Sequence, residues 1–210
     1  VPLSYHGMTG WAFWANTDLG NTTKEFYARG RFMGFYPSLR RTCCFAAMVA
    51  PRGGTDDFAT RRQRLEHTFS DFPSEAVAAL KSSSDAAIWH DDFLDVRLKR
   101  WSSNRVALVG DAAHAVLPTA GVGASMAMES AFVLADELSR ASSKNVSTAL
   151  CRYESRRRRR VDRVQKQSRQ MGWMIRVDNR VTTYARDTLF RLVPPKVFLA
   201  TFKPLLYSDI

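Results

Sequence analysis

The residue types best suited to chemistry lie together in one short segment that begins at Gly110. Asp111 follows a continuous apolar run, Val106 to Val109, of the kind that forms a buried strand, and α/β proteins place ligand contacts at the ends of such strands. Further on, Gly121 and Gly123 would let the backbone approach a ligand closely, because no side chain intervenes. The helix predicted to start there offers free N–H groups and a positive dipole end. Together these features predict a site for a polyol that carries developing negative charge.

A strand, a glycine-rich loop and a helix that merely pack together would give the same pattern. The loop is not a dinucleotide-binding fingerprint either. Met126 stands where the third glycine of that motif would be, and no tight strand–turn–helix immediately precedes the glycines. The residue types alone therefore leave both interpretations open, a ligand site and plain packing.

The order of residues in this segment carries a family resemblance. Gly110-Asp111-Ala112-Ala113-His114, followed by Pro118, Gly121, Gly123 and Ala127, resembles the second FAD motif of the single-component aromatic hydroxylases, the flavoprotein monooxygenases of the p-hydroxybenzoate hydroxylase type. Three other places agree: Trp101 before the strand, the helix segment Ala149 to Arg157, and the strand Phe35-Tyr36-Pro37. Only the stretch from Gly110 to Ala127 is specific.

The resemblance implies a fold and a set of flavin contacts. The fold class is α/β (mixed α and β): the C-terminal part of a Rossmann-like FAD-binding monooxygenase fold, with a β-sheet substrate layer and a helical C-terminal tail. Asp111 would bind a ribityl hydroxyl of FAD, Pro118 would lie beside the flavin ring, and the backbone near Gly121 would surround the pyrimidine edge. The implied cofactor-binding residues are Gly110, Asp111, Pro118, Gly121, Val122, Gly123 and Ala124. No catalytic residue and no metal ligand is implied.

Two neighbouring residues are less clear from the sequence. His114 is expected to be a satisfied structural histidine rather than a catalytic one. Ser130 stands where the family often has Asp, next to Glu129, and this departure is expected to weaken a structural contact rather than the flavin site.

The family's motifs for the ADP half of FAD are missing from the chain. It contains no G-x-G-x-x-G turn and no Asp-Gly dipeptide, and it begins at Val1. We therefore expect the chain to lack an N-terminal FAD-binding half, supplied by the same or a separate chain. Alone, it is expected to be catalytically incomplete.

The chemistry implied by the resemblance is that of reduced flavin with oxygen. FAD reduced by NADH or NADPH gives a C4a-hydroperoxide, which hydroxylates a small aromatic or polycyclic substrate; epoxidation of an alkene is an alternative within the family. Candidates for lining the substrate pocket are Trp11, Phe13, Phe32, Phe35 and Phe45. At strand spacing, each of them is more often a plain core residue.

The sequence also predicts how the chain is organised. Residues 1–100 are expected to form the substrate-side β layer with helices, residues 101–150 the flavin-binding strand, loop and helix, and residues 151–210 a helical tail. No apolar stretch is long enough to predict a membrane span. Three cysteines are too few for a disulfide framework, so we expect a reducing, cytoplasmic compartment.

The positive charge is concentrated towards the C-terminus. The formal net charge is +11, and the stretch Arg140 to Arg191 holds 15 basic and 4 acidic residues. Its run Arg156–Arg160 suggests a nucleic-acid-binding module as a remote alternative. Five consecutive helical positions cover every side of a helix, however, so a solvated face that attracts NAD(P)H is the favoured interpretation, with no nucleic acid as partner. A further alternative is an incomplete fragment that acts only when assembled with its N-terminal half.

Overall fold

The computed structural model describes residues 3–15, 21–39, 41–84, 87–194, 196–197, 200 and 203. The chain divides into two compact units. The sheet unit comprises Gly7–Phe93 and Met174–Arg186, and the helical unit comprises Val1–His6, Leu94–Trp173 and Asp187–Ile210. These units cut across the three consecutive segments expected from the sequence, because β1, β5 and α5, defined below, each continue from one unit into the other. The assignment of substrate layer, flavin segment and tail to those three segments stays a prediction.

A five-stranded sheet organises the first half of the chain. Its spatial order is β2-β3-β4-β1-β5, with antiparallel pairing along β2-β3-β4-β1. The strands are β1 (Leu3–Ala15), β2 (Lys24–Ala28), β3 (Arg31–Ser38), β4 (Arg41–Val49) and β5 (Trp89–Val96). β3 contains the strand expected at Phe35-Tyr36-Pro37.

Alternation along the strands gives the sheet two different aromatic faces. Trp11 lies opposite Ala46, and both Phe13 and Phe35 lie opposite Cys44, so these side chains share one face. Two helices, α1 (Arg61–Thr68) and α2 (Ser74–Ser82), bury that face together with the segment between them. The buried side chains are Leu65 of α1, Phe69 and Phe72 of the connecting segment, and Ala76, Ala79 and Leu80 of α2. Pro73 directly precedes α2 instead of occupying its first position, where proline is common. We call this the helix-covered face, and the face that carries Phe32 and Phe45 the opposite face.

The helical unit is built around one long helix. Its elements are the two-stranded ribbon β6 (Ser102–Ser103) and β7 (Val106–Ala107), then α3 (Asp111–His114), α4 (Gly123–Ser139) and α5 (Val146–Arg176). Tyr153, Val161 and Val164 of α5 are buried against Trp101 and the α4 residues Met126 and Val133. This apolar stripe at helical spacing explains why the segment folds as a helix, and α5 contains the helix segment expected at Ala149 to Arg157. The helix α6 (Arg180–Leu192) follows it.

The structure corrects the prediction that the apolar run before Gly110 forms a buried strand. Only Val106 and Ala107 form a strand, paired with Ser103 and Ser102, and Val106 is 65% exposed. Burial on both faces of a sheet is therefore wrong for the described residues. An apolar run is buried by neighbouring strands, and in the described part of the chain β6 is the one strand paired with it.

The structure also corrects the prediction that the arginine run Arg156–Arg160 forms a solvated face. Arg156 pairs with Asp136 and Glu137, Arg157 and Arg160 pair with Glu129, and Arg158 pairs with Glu154. Arg159 is exposed. The interpretation as a solvated face is wrong for Arg157, which is buried, and for Arg158 and Arg160, which are partly buried. Arg156 is exposed although it forms ion pairs.

The helices of the described part offer no membrane span. Even the 31-residue α5 is too polar to cross a bilayer, and no other described helix qualifies.

Candidate functional site

The segment from Gly110 to Ala124 forms a turn, a loop and a helix start. Gly110 has φ +61° and precedes α3, whose first residue is Asp111. A single 3₁₀ turn, Pro118–Ala120, follows and ends at Gly121 in the left-handed conformation with φ +64°. α4 then begins at Gly123, and no side chain caps its N-terminus. The first-turn N–H groups of α4 are therefore free for a ligand or water.

Close packing fixes the start of this segment. A Cβ atom built on Gly110 would lie 3.1 Å from the Cβ of Ala127 on α4. Gly110 is therefore constrained twice, by its positive φ and by the approach of α4. This contact holds α3 against the helix whose N-terminus closes the loop.

Hydrogen bonds to α5 hold the loop between α3 and α4 in place. The Gln165 amide donates to the carbonyl oxygens of Val96 and Ala115 at 2.7 and 2.9 Å, and the Thr119 hydroxyl donates to the Ser168 carbonyl at 2.6 Å. Gln165 and Ser168 are both buried. Sequence reasoning missed these residues, although polar side chains on the apolar stripe of α5 were the signal that could have found them.

His114 belongs to a buried structural network. Its Nε2 lies 2.9 Å from Ser130 Oγ, and the ring packs 4.9 Å from that of Trp101. Arg157, only 3% exposed, donates from Nε to Ser130 Oγ at 3.2 Å and from Nη1 to Glu129 at 2.7 Å. Burial lowers the pKa of His114, so the ring is neutral near pH 7. These contacts fit the structural role expected for His114, and Ser130 serves as the shared partner of the histidine and the arginine.

The exposed groups of the segment fit FAD. The Asp111 side chain is exposed, and none of the described hydrogen bonds uses its carboxylate. Pro118, Gly121 and Ala124 are also exposed, and a Cβ at Gly121 would meet no protein atom within 4 Å. A hydrogen-bond acceptor, an open space above a glycine and an uncapped helix N-terminus are thus available together. Gly110 and Val122, in contrast, are buried.

The five candidate pocket residues separate onto the two faces of the sheet. Trp11, Phe13 and Phe35 belong to the core beneath α1 and α2. Phe32 and Phe45 lie on the opposite face with ring centroids 6.5 Å apart, and Phe45 stacks on Phe93 at 5.8 Å. The five side chains therefore do not line one common pocket, and their contact with a substrate stays a prediction.

Comparison of the sequence with known proteins points to an FAD-binding family, which agrees with the geometry of this segment. The sequence profile of the family described as "FAD binding domain" matches residues 29–168. The chain is 32% identical over 176 residues to the 2-heptyl-3-hydroxy-4(1H)-quinolone synthase of Pseudomonas aeruginosa, covering 81% of this chain and 45% of that protein. It is 30% identical over 194 residues to the aurachin C monooxygenase/isomerase of Stigmatella aurantiaca, covering 90% of this chain and 50% of that protein.

A solved structure supports the fold over almost the whole chain. Klebsiella pneumoniae HpxO, complexed with FAD and uric acid, superposes with a TM-score of 0.85 at 23% identity. The match covers 98% of this chain and 54% of HpxO. The chain thus spans about half the length of the curated relatives and of the solved structure that it matches.

Proposed function

This chain belongs to the FAD-dependent aromatic hydroxylase family, and on that premise we propose that it forms the C-terminal half of an NAD(P)H-dependent monooxygenase. The observation that carries the proposal is the exposed Asp111 carboxylate beside the open Gly121 turn and the uncapped start of α4. A 4(1H)-quinolone stands first among the aromatic substrates to test, because it appears in the name of a relative 32% identical to this chain.

The residues of the segment would act by holding and polarising the cofactor. FAD, once reduced by NADH or NADPH, supplies an activated oxygen atom derived from O2. Asp111 would accept a hydrogen bond from a ribityl hydroxyl, and the backbone from Gly121 to Ala124 would contact the pyrimidine edge. The N-terminus of α4 would stabilise negative charge on the cofactor, because its first-turn N–H groups are free and carry the positive end of the helix dipole.

The opposite face of the sheet would supply the apolar wall for the substrate. Phe32 and Phe45 pack with Tyr27 and Phe93; the rings of Phe45 and Tyr27 are partly exposed, and those of Phe32 and Phe93 are buried. Rings of this kind exclude water and orient a flat substrate by edge and face contacts. Trp11, Phe13 and Phe35 would support that wall from the other face of the sheet.

An N-terminal FAD-binding half is part of the proposal. The exposed apolar side chains of Val106, Met128 and Phe132 and the half-length match to relatives support it. That half would bring the remaining FAD contacts and cover this apolar surface. We also propose a cytoplasmic location, which the three free cysteines support.

The test is flavin retention in the full-length protein. We expect Asp111→Ala to weaken FAD binding about tenfold, the loss of roughly one hydrogen bond to a charged acceptor. Asp178→Ala is the matched control, since Asp178 is an exposed carboxylate in the sheet unit. Equal FAD affinity of the two variants would contradict the assignment of Asp111.

The reaction itself is identified from the product. We expect NAD(P)H oxidation to depend on the aromatic substrate and the product to gain one oxygen atom from labelled O2. A hydroxylated ring supports the proposal, an epoxide points to the alternative within the family, and an unlabelled product contradicts both.

A further inference from the structure

The sheet unit contains a cavity of about 570 Å³ on the helix-covered face. It lies between the strands β1 and β4, the loop before α1, and α1 itself, with Thr9, Met48, Thr55 and Leu65 among its lining residues. Small-molecule sites in proteins commonly have about 300–1,000 Å³. The cavity is therefore large enough for a bicyclic ligand, and it lies on the face opposite Phe32 and Phe45.

One part of the cavity wall is flat and apolar. Trp11 is 6% exposed and stacks on His90 with ring centroids 5.1 Å apart and planes 27° apart. Met48 and Leu65 add aliphatic surface. The indole Nε1–H of Trp11 is buried without a hydrogen-bond partner among the described residues. Because this atom is not accessible, the indole contributes only its apolar ring to the wall.

The other part of the wall is lined by Arg61, Arg64 and Asp56. The Asp56 side chain is 7% exposed and receives hydrogen bonds from both arginines, that from Arg64 at 2.6 Å. Arg64 also donates to the carbonyl oxygen of Asp57, whose carboxylate adds a second negative charge nearby. The Arg64 side chain is 42% exposed and that of Arg61 only 12%, so Arg64 is the cationic group that an anionic ligand in the cavity can reach.

The position of His90 is held by its neighbours. The Thr9 hydroxyl donates to the carbonyl of Asp91 at 3.1 Å, so it accepts from His90 Nε2 at 2.6 Å. The Nδ1 atom of the same ring lies 3.4 Å from Asp56 Oδ2. The ring that stacks on Trp11 is therefore held through its Nε2 atom, which gives the cavity a preformed flat wall.

We propose that this cavity binds a planar aromatic carboxylate at a second ligand site of the protein. The aromatic ring packs beside Trp11, Met48 and Leu65, and the carboxylate lies towards Arg64. The site does not depend on the proposed oxygenation, because all of its residues belong to the sheet unit.

The test is a calorimetric titration of the full-length protein with 2-naphthoate, and with 2-naphthamide as the uncharged analogue. Arg64→Gln is expected to weaken naphthoate binding about tenfold and to leave naphthamide binding within about twofold. The matched control Arg62→Gln removes the same charge from the same helix, outside the cavity lining, and is expected to change neither affinity by more than about twofold.

A second pair of variants locates the ligand. Thr55→Trp fills the cavity from the loop and is expected to abolish binding, while Arg52→Trp places the same ring on an exposed residue outside the lining and preserves it. Should Thr55→Trp fail to fold by circular dichroism, Gln63→Trp fills the cavity from α1 instead. Absence of naphthoate binding overturns the proposal. So does binding that survives the cavity-filling variant, or that Phe45→Ala removes instead. Because heat of binding is measured without turnover, failure of FAD uptake leaves this result intact.

Discussion

Gly121 has a left-handed backbone conformation, and the space that a Cβ atom would occupy there is empty. Its effect on stability can therefore be measured separately from its effect on FAD binding. Gly53 has the same features, with φ +69° and no atom within 4 Å of the place where a Cβ would lie, but it belongs to the turn before α1. Replacing either glycine with alanine should cost about 1–2 kcal/mol of stability, because both would force an L-residue into the left-handed region. Only Gly121→Ala should also weaken FAD binding, by about tenfold. Urea unfolding and flavin retention of both variants check this; a flavin loss shared by Gly53→Ala would contradict it.

His114 makes stability depend on pH near neutrality. Burial lowers its pKa below the usual value of 6.5, so the unfolded chain takes up the proton first as the pH falls. Stability should therefore decline from about pH 6.5 downward until the folded pKa is reached. The carboxylates with lowered pKa, such as Glu129, act only below 4.5 and leave this window clear.

The variant His114→Gln should lose this part of the pH dependence. Urea midpoints between about pH 7.5 and 5.5 measure it. His67→Gln, which changes an exposed histidine, should retain the decline. The same decline in both variants would assign the effect to another group.

At the scale of elements, α5 depends on its buried arginine. Burial alone would raise the pKa of Glu129. The hydrogen bonds from Arg160 and Arg157 nevertheless hold this pKa below its usual value. Arg157→Gln removes one partner of a buried ion pair and should destabilise the protein by about 2–4 kcal/mol. Arg159→Gln, two residues along the same run and exposed, should change stability by less than about 0.5 kcal/mol. Urea unfolding of the two variants compares them, and equal losses would refute the division of the run into buried and solvated positions.

The strands and helices also show which parts of the fold could be predicted from the sequence. The strand at Phe35-Tyr36-Pro37 and the helix at Ala149 to Arg157 were predicted and lie within β3 and α5, because a resemblance between short segments is a local signal. The burial of the apolar run from Val106 to Val109 was overestimated, because such burial depends on which strands lie beside the run. The cavity beside Trp11 could not be predicted either. Its walls come from positions as distant as Thr9, Leu65 and His90, which only the folded chain brings together.

At the scale of the whole molecule, an apolar stripe on α4 lies open to solvent. Met128 and Phe132 are 66% and 62% exposed and lie one turn apart, with exposed Ala124 and Ala131 on the same helix. We expect the 210-residue chain to self-associate through this stripe, because apolar surface of this kind marks an interface. In the full-length protein, the same stripe would pack against the proposed N-terminal half.

The double substitution of Met128→Lys and Phe132→Lys should abolish self-association of the 210-residue chain in size-exclusion chromatography. In the full-length protein it should lower FAD retention. The control adds two lysines at the exposed serines, Ser139→Lys and Ser155→Lys, and keeps the stripe. If the control disperses the chain equally well, net charge rather than the stripe governs association.

The packing of Gly110 against Ala127 has a consequence for how this sequence can vary over generations. At position 110, two separate penalties fall on every other amino acid, one from the positive φ and one from the 3.1 Å approach of the alanine methyl group. At position 127, only the size of the side chain is restricted. A saturation library screened for folded protein should thus recover glycine alone at the first position and only the smallest residues at the second, so that the two sites differ in tolerance although they touch.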